Sequence, residues 1–170
     1  MDDVASLETR RGYQAMLGVL HAAYTQLTPV LDGALVALGI PARHKALTSA
    51  LETDLRALGS SIDRLHLLDP VHWSADEALG AAYVMEGSAL GSQLLRKRLV
   101  EYHTADIPHT YFDTVIAVQP QRWRDVVAAL NCVHADREAT LSGALATFTL
   151  LGNLAQNVAL TNALAAGVSA

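Results

Sequence analysis

Every long apolar pattern in this chain repeats at helical spacing, and no stretch alternates apolar with polar residues over more than a few positions. Leu17, Leu20, Tyr24 and Leu27 share one stripe, and so do Leu47, Leu51, Leu55 and Leu58. Such stripes bury themselves against other helices. The expected architecture is therefore an all-α, single-domain bundle of six or seven helices over residues 1–170, with no repeat and no Pro- or Ser-rich linker dividing it. With 51% of its 170 residues hydrophobic, the chain is long and apolar enough for a sizeable core.

Local signals set the expected boundaries. A first helix runs from about Ser6 to Leu27, Pro29 opens a second, and Gly39 stops it. Pro41–Leu58 is the next helix, ended by Gly59, and residues 60–73 form a short turn and a loop around Pro70. Ser74 and Glu77 have capping-box spacing and start a long helix, about 75–103. A loop containing Pro108 follows. Pro120 opens a helix through Trp123, Val127 and Leu130 to about His134, and Asp136 restarts a last one to about Ala166.

Charge and composition narrow the function classes. A net charge of −5, with Lys and Arg scattered apart from Arg96-Lys97-Arg98, argues against nucleic acid as a partner. The single Cys132 fits a reducing, cytoplasmic compartment, where it reads as a small buried hydrophobe. The opening MDDVASLETRR has no apolar core and is not a signal peptide. From Ala139 to Ala170 no residue is charged, a length that in principle suits a bilayer. Asn153, Asn157 and Thr161 nevertheless form a polar stripe, with Gln156 and Asn162 nearby, so a buried or interface-packed helix is expected there and no membrane partner. An uncharged helix of this kind also suits a homodimer contact.

The stretch ALGAAYVMEGSALGSQLL, residues 78–95, carries Gly80, Gly87 and Gly91 on one helical stripe, with Ser88 and Ser92 beside it. Each interior glycine costs a helix about 1 kcal/mol relative to alanine. Two readings account for that: close packing of another helix, or a planar ligand lying on bare main chain. Two glycines four residues apart can also bend the helix.

Tyr83-Val84-Met85-Glu86-Gly87-Ser88-Ala89-Leu90-Gly91-Ser92 resembles the distal helix of bacterial biliverdin-producing heme oxygenases, of the form Y-V-x-E-G-S-x-L-G-[GA], with Ser92 in place of Gly or Ala. In matching order, Gly12-Tyr13 resembles the start of that family's second helix. Arg122-Trp123 resembles the R-W that opens a late helix, and Ala144-Leu145-Ala146-Thr147-Phe148 the A-x-x-T-F near its C-terminus. The likeness extends from about Leu7 onward. It implies a heme-oxygenase-like fold and oxidative cleavage of heme to biliverdin, CO and iron, with the glycine backbone positioning iron-bound O2. It implies roles for Gly87, Ser88 and Gly91 at the reacting face, for Tyr83 and Ser92 beside the heme, and for Arg96 and Lys97 at the propionates. For Arg96 and Lys97 the other reading is a solvated positive end of the helix. Glu86, outside the stripe, reads as a partner for backbone or an arginine rather than a general acid. The resemblance also implies electrons from a separate reductase or ferredoxin, since the chain has no motif for a bound nucleotide or flavin, and a bacterial phytochrome pathway as consumer of the bilin.

One part of the family pattern has no counterpart. The proximal histidine belongs to a T-x-x-x-H segment upstream of Gly12-Tyr13, and residues 1–11 contain no histidine. Either the chain starts short of its native N-terminus, or that helix has been lost. In the second case a catalytically degenerate module would hold a tetrapyrrole, another flat apolar ligand or a partner helix. His21, on the apolar stripe, is the substitute axial ligand to consider, against its ordinary role as a hydrogen-bonded core histidine. Tyr13 and Tyr24 read as core residues, and His44, His66, His72, His103, His109 and His134 as surface or capping residues near helix ends. Di-iron and zinc spacings are absent from the sequence.

Overall fold

The computed structural model describes residues 7–60, 71–103, 107–132 and 134–167, with side chains beyond residue 158 and at Cys132 left aside. Among these residues all regular structure is helical: α1 (Arg10–Ala37), α2 (His44–Ala57), α3 (Ala75–Ser88), a 3-10 turn (Ala89–Gly91), α4 (Ser92–Tyr102), α5 (Thr110–Ile116), α6 (Gln119–Cys132) and α7 (Arg137–Gly167). The chain is an all-α bundle, as the spacing predicts. The expected loop around Pro70, His66 and the start of a helix at Ser6 lie outside the described residues.

Several boundaries follow from local chemistry. Thr9 accepts from the Gly12 amide to start α1. Gly39 (φ 75) and Gly59 (φ 82) take the left-handed conformation that ends α1 and α2, where an L side chain would be strained. At Ser74 both halves of the capping box form: Ser74 accepts from the Glu77 amide at 3.2 Å, and Glu77 accepts from the Ser74 amide at 2.8 Å. Asp136 accepts from the amides of Glu138 and Ala139 to begin α7.

Three expectations change. The helix expected over 75–103 is broken by the 3-10 turn at Ala89–Gly91. Pro29 does not open a helix; α1 runs through it. A proline there removes one backbone bond, but Leu27, Leu31 and Leu35 keep their period across it and are fully buried. Proline itself sits on the exposed side. The segment read as a loop after Pro108 contains α5, which buries Tyr111, Phe112 and Val115. Its free amides are satisfied from a distance: the carboxylate of Asp54, on α2 and fully buried, accepts from Thr110 N and Tyr111 N, both at 2.9 Å.

One apolar cluster joins α1, α2, α3, α5 and α6 with Leu99 of α4 and Leu154 of α7. Tyr13 stacks on Phe112 and donates to the Pro108 carbonyl at 2.8 Å. No helix among the described residues is long and apolar enough to cross a membrane. On α7, Asn153 and Asn157 stand at the exposed surface, while Thr147 and Leu154 face inward; Thr161 and Asn162 lie where side chains are not described.

Candidate functional site: a broken glycine helix and a buried carboxylate

The three glycines of the α3–α4 rod meet three different surroundings. A Cβ on Gly80 would stand 1.9 Å from the Thr140 carbonyl oxygen, and one on Gly143 would stand 2.0 Å from that of Glu77. Both near neighbours are backbone, so α3 and α7 cross in direct main-chain contact, and Gly80 is a packing glycine. At Gly87 the nearest atoms are the outer ring carbons of Trp123 on α6, 3.2 Å from the position of a Cβ. Tyr83, 49% exposed, leans on the same indole with centroids 5.2 Å apart. Around Gly91 nothing lies within 4 Å, and the residue is exposed.

The rod changes its winding at that point. Residues 89–91 tighten into a 3-10 turn between α3 and α4. Ser88 donates to the Met85 carbonyl at 2.8 Å, a bond within its own turn, and Ser92 is buried at the start of α4. Leu90 and Leu94, 50% and 55% exposed, flank the open glycine with apolar surface.

Glu86 points the other way and is 1% exposed. Arg43, at the end of the α1–α2 connection, pairs with one carboxylate oxygen. The other takes Arg122 Nε at 2.6 Å and lies 3.2 Å from His44 Nε2. Gln119 closes the ring by accepting from Arg43 and donating to the Glu86 carbonyl at 2.7 Å, and Arg122 also donates to Pro41 O. His44, on its second nitrogen, meets Asp32 at 2.5 Å, and its ring stacks on Tyr24. Burial alone would push the Glu86 carboxyl up; the His44 hydrogen bond and the Arg43 and Arg122 charges outweigh it and hold the pKa down at about 2. Burial likewise pulls His44 down, yet its bonds to Asp32 and Glu86 leave it above its ordinary value. Glu86 thus has the arginine partners its position suggests. It clamps α2, α3 and α6 together and stays ionised. His44 is not the surface or capping residue its place near a helix start suggests; it is 1% exposed and an integral part of this cluster.

Arg96 and Lys97 face a separate place. Arg96 Nε meets Asp113 of α5 at 2.5 Å, and Lys97, 75% exposed, is 3.9 Å from Glu101 on its own helix. Both line an open cleft of about 530 Å³ between α4 and α5, floored by Val100, Ile116 and Ala117. His21, a buried residue of α1, turns toward α2 with its Nε2 3.5 Å from Glu52, but neither ring nitrogen has a hydrogen-bond partner among the described residues, so it is not the hydrogen-bonded core histidine expected of that stripe. His103 bonds to the Leu7 carbonyl and His109 pairs with Asp113, while His72 and His134 are exposed between helices. Among the described residues no group of three or more His, Cys, Asp or Glu side chains could hold a metal ion.

Trp123 and the ring of Arg43, His44, Asp32 and Gln119 around Glu86 are the neighbours that sequence reasoning did not assign. Only Arg122-Trp123 left a signal, as part of the family resemblance. No protein-family model matches the chain, and no curated protein matches it.

Proposed function

We propose that this protein is a heme-oxygenase-like scaffold that seats a flat tetrapyrrole against the main chain at residues 89–91. One observation carries the reading: within the stretch that resembles a distal helix, the winding breaks and Gly91 leaves its backbone open, with exposed Leu90 and Leu94 at its sides. A planar apolar molecule can reach the peptide groups there, as it could not past a Cβ. Heme is the substrate that the resemblance favours. The resemblance puts the heme carboxylates at Arg96 and Lys97, but both line the separate α4–α5 cleft, so neither is assigned to a ligand seated on Gly91. Cleavage to biliverdin, CO and iron, with electrons from a separate reductase or ferredoxin, is the activity proposed for a bound heme. The described histidines are turned to Glu52, Asp32, Glu86, Leu7 and Asp113 or stand between helices, so no axial ligation is assigned to any of them, His21 included.

The second reading is a non-catalytic module holding the same class of ligand. It is favoured by Trp123, which covers the Gly87 part of the stripe that a reacting heme would need. Hemin titration of the protein separates the readings. Saturable growth of a sharp Soret band is expected, lost in Gly91→Leu with helicity unchanged. Biliverdin on adding reductant and O2 establishes the enzyme; binding without biliverdin establishes the module. Absence of saturable binding, or equal affinity in Gly91→Leu, refutes both.

A further inference from the structure

The outer face of α7 carries a helix-pairing seam. Leu141, Leu145 and Phe148 are 59%, 58% and 62% exposed, more than any other large hydrophobic side chain among the described residues. They do not stand singly. Glu138, Leu141, Leu145, Phe148, Gly152 and Ala155 follow one another in steps of three and four, and all six are exposed. That is the 3-4 spacing with which one helix inserts side chains between those of another. Ser142, Thr149 and Gln156, each one position after a seam residue, are exposed, polar and uncharged. The opposite face, with Gly143, Thr147 and Leu154, is spent on the rest of the bundle.

We propose that this seam pairs with the same seam of a second copy, in antiparallel orientation. Side-chain size sets the orientation. The N-terminal half of the seam is bulky and the C-terminal half is small, with open space around Gly152. Antiparallel packing puts Leu145 opposite Phe148 of the second copy, Leu141 opposite its Gly152, and Glu138 opposite its Ala155. Each layer is then filled once, and the two-fold axis repeats it. Parallel packing would instead oppose the two Glu138 carboxylates and leave a gap between the two Gly152 residues. The absence of charge after Glu138 removes the like-charge repulsion that self-pairing of an anionic chain otherwise meets. Beyond Glu138 a mixed-charge partner would find no charge on this face to pair with, which favours a second copy over a foreign helix.

Sedimentation velocity of the full chain, followed over increasing concentration, is expected to show a species of about twice the 18.1 kDa chain mass. Leu145→Lys and Phe148→Glu, each at an exposed position, are expected to be folded monomers by circular dichroism. Mixing the two variants one to one is expected to restore the dimer, because only the antiparallel register sets residue 145 against residue 148. A wild-type chain that stays monomeric, a Leu145→Lys variant that still dimerises, or a mixture of monomeric variants that fails to recover would each overturn the proposal.

Discussion

Replacing Glu86 by glutamine removes one charge and almost no volume, and the structure states what that charge holds. Arg43, Arg122 and His44 converge on a carboxylate that is 1% exposed, and the two arginine side chains are themselves 11% and 7% exposed. Removing one partner of a buried ion pair costs about 3–5 kcal/mol, chiefly because the surviving charges stay buried. The depressed pKa gives a second route to the size. A carboxyl that titrates at about 2 in place of 4.5 favours the folded state by roughly 3 kcal/mol once ionised. Since the folded value is the lower one, that contribution is complete above the unfolded value and disappears as pH falls from 4.5 toward 2. Glu86→Gln should therefore be about 3 kcal/mol less stable than the parent near neutrality, and the gap should close on acidification as the parent carboxyl protonates. Urea unfolding monitored by far-UV circular dichroism at a series of pH values measures both. A loss below about 1 kcal/mol at neutral pH, well under the range for a broken buried pair, would refute the clamp, and so would a gap that does not change on the acid side.

His44 predicts the opposite limb. Its folded pKa is raised, so its contribution is complete below the ordinary value of 6.5 and is lost as pH rises through the folded value; His44→Gln should flatten that alkaline decline, and ring titration by NMR locates it. Gly80→Ala drives a methyl into the Thr140 carbonyl, so urea unfolding should show a loss of about 1–3 kcal/mol or more, and a neutral result would mean that α3 and α7 are not in main-chain contact. Gly91→Ala meets open space at helical φ and should stabilise the chain by about 0.5–1 kcal/mol, seen as a rise of a few degrees in the melting temperature.

Helix positions were legible wherever a residue acts on its own neighbourhood. Gly39, Gly59, the Ser74–Glu77 pair and Asp136 end or begin helices through bonds that close within a few residues, and each is where its spacing predicts. Pro29 and α5 depart from what their local sequence predicts because their outcome is decided elsewhere. Pro29 is overruled by the burial of Leu27, Leu31 and Leu35 on the far side of the same helix. α5 is only seven residues long, and its first amides are capped by Asp54, a residue of another helix that no local window contains.

The same division explains the site. Gly80, Gly87 and Gly91 are alike in sequence, seven and four residues apart on one stripe, yet one is closed by a carbonyl of α7, one by an indole of α6, and one by nothing. A missing side chain specifies only that something can come close; what comes is chosen by helices far along the chain. Glu86 behaves in the same way. Its buried charge is tolerable only because Arg43 and Arg122, 43 residues before it and 36 after it, arrive together. The carboxylate therefore reports on the closing of α2, α3 and α6, while Gly91, facing away from that closure, is left as the one glycine of the three whose backbone a ligand can still reach.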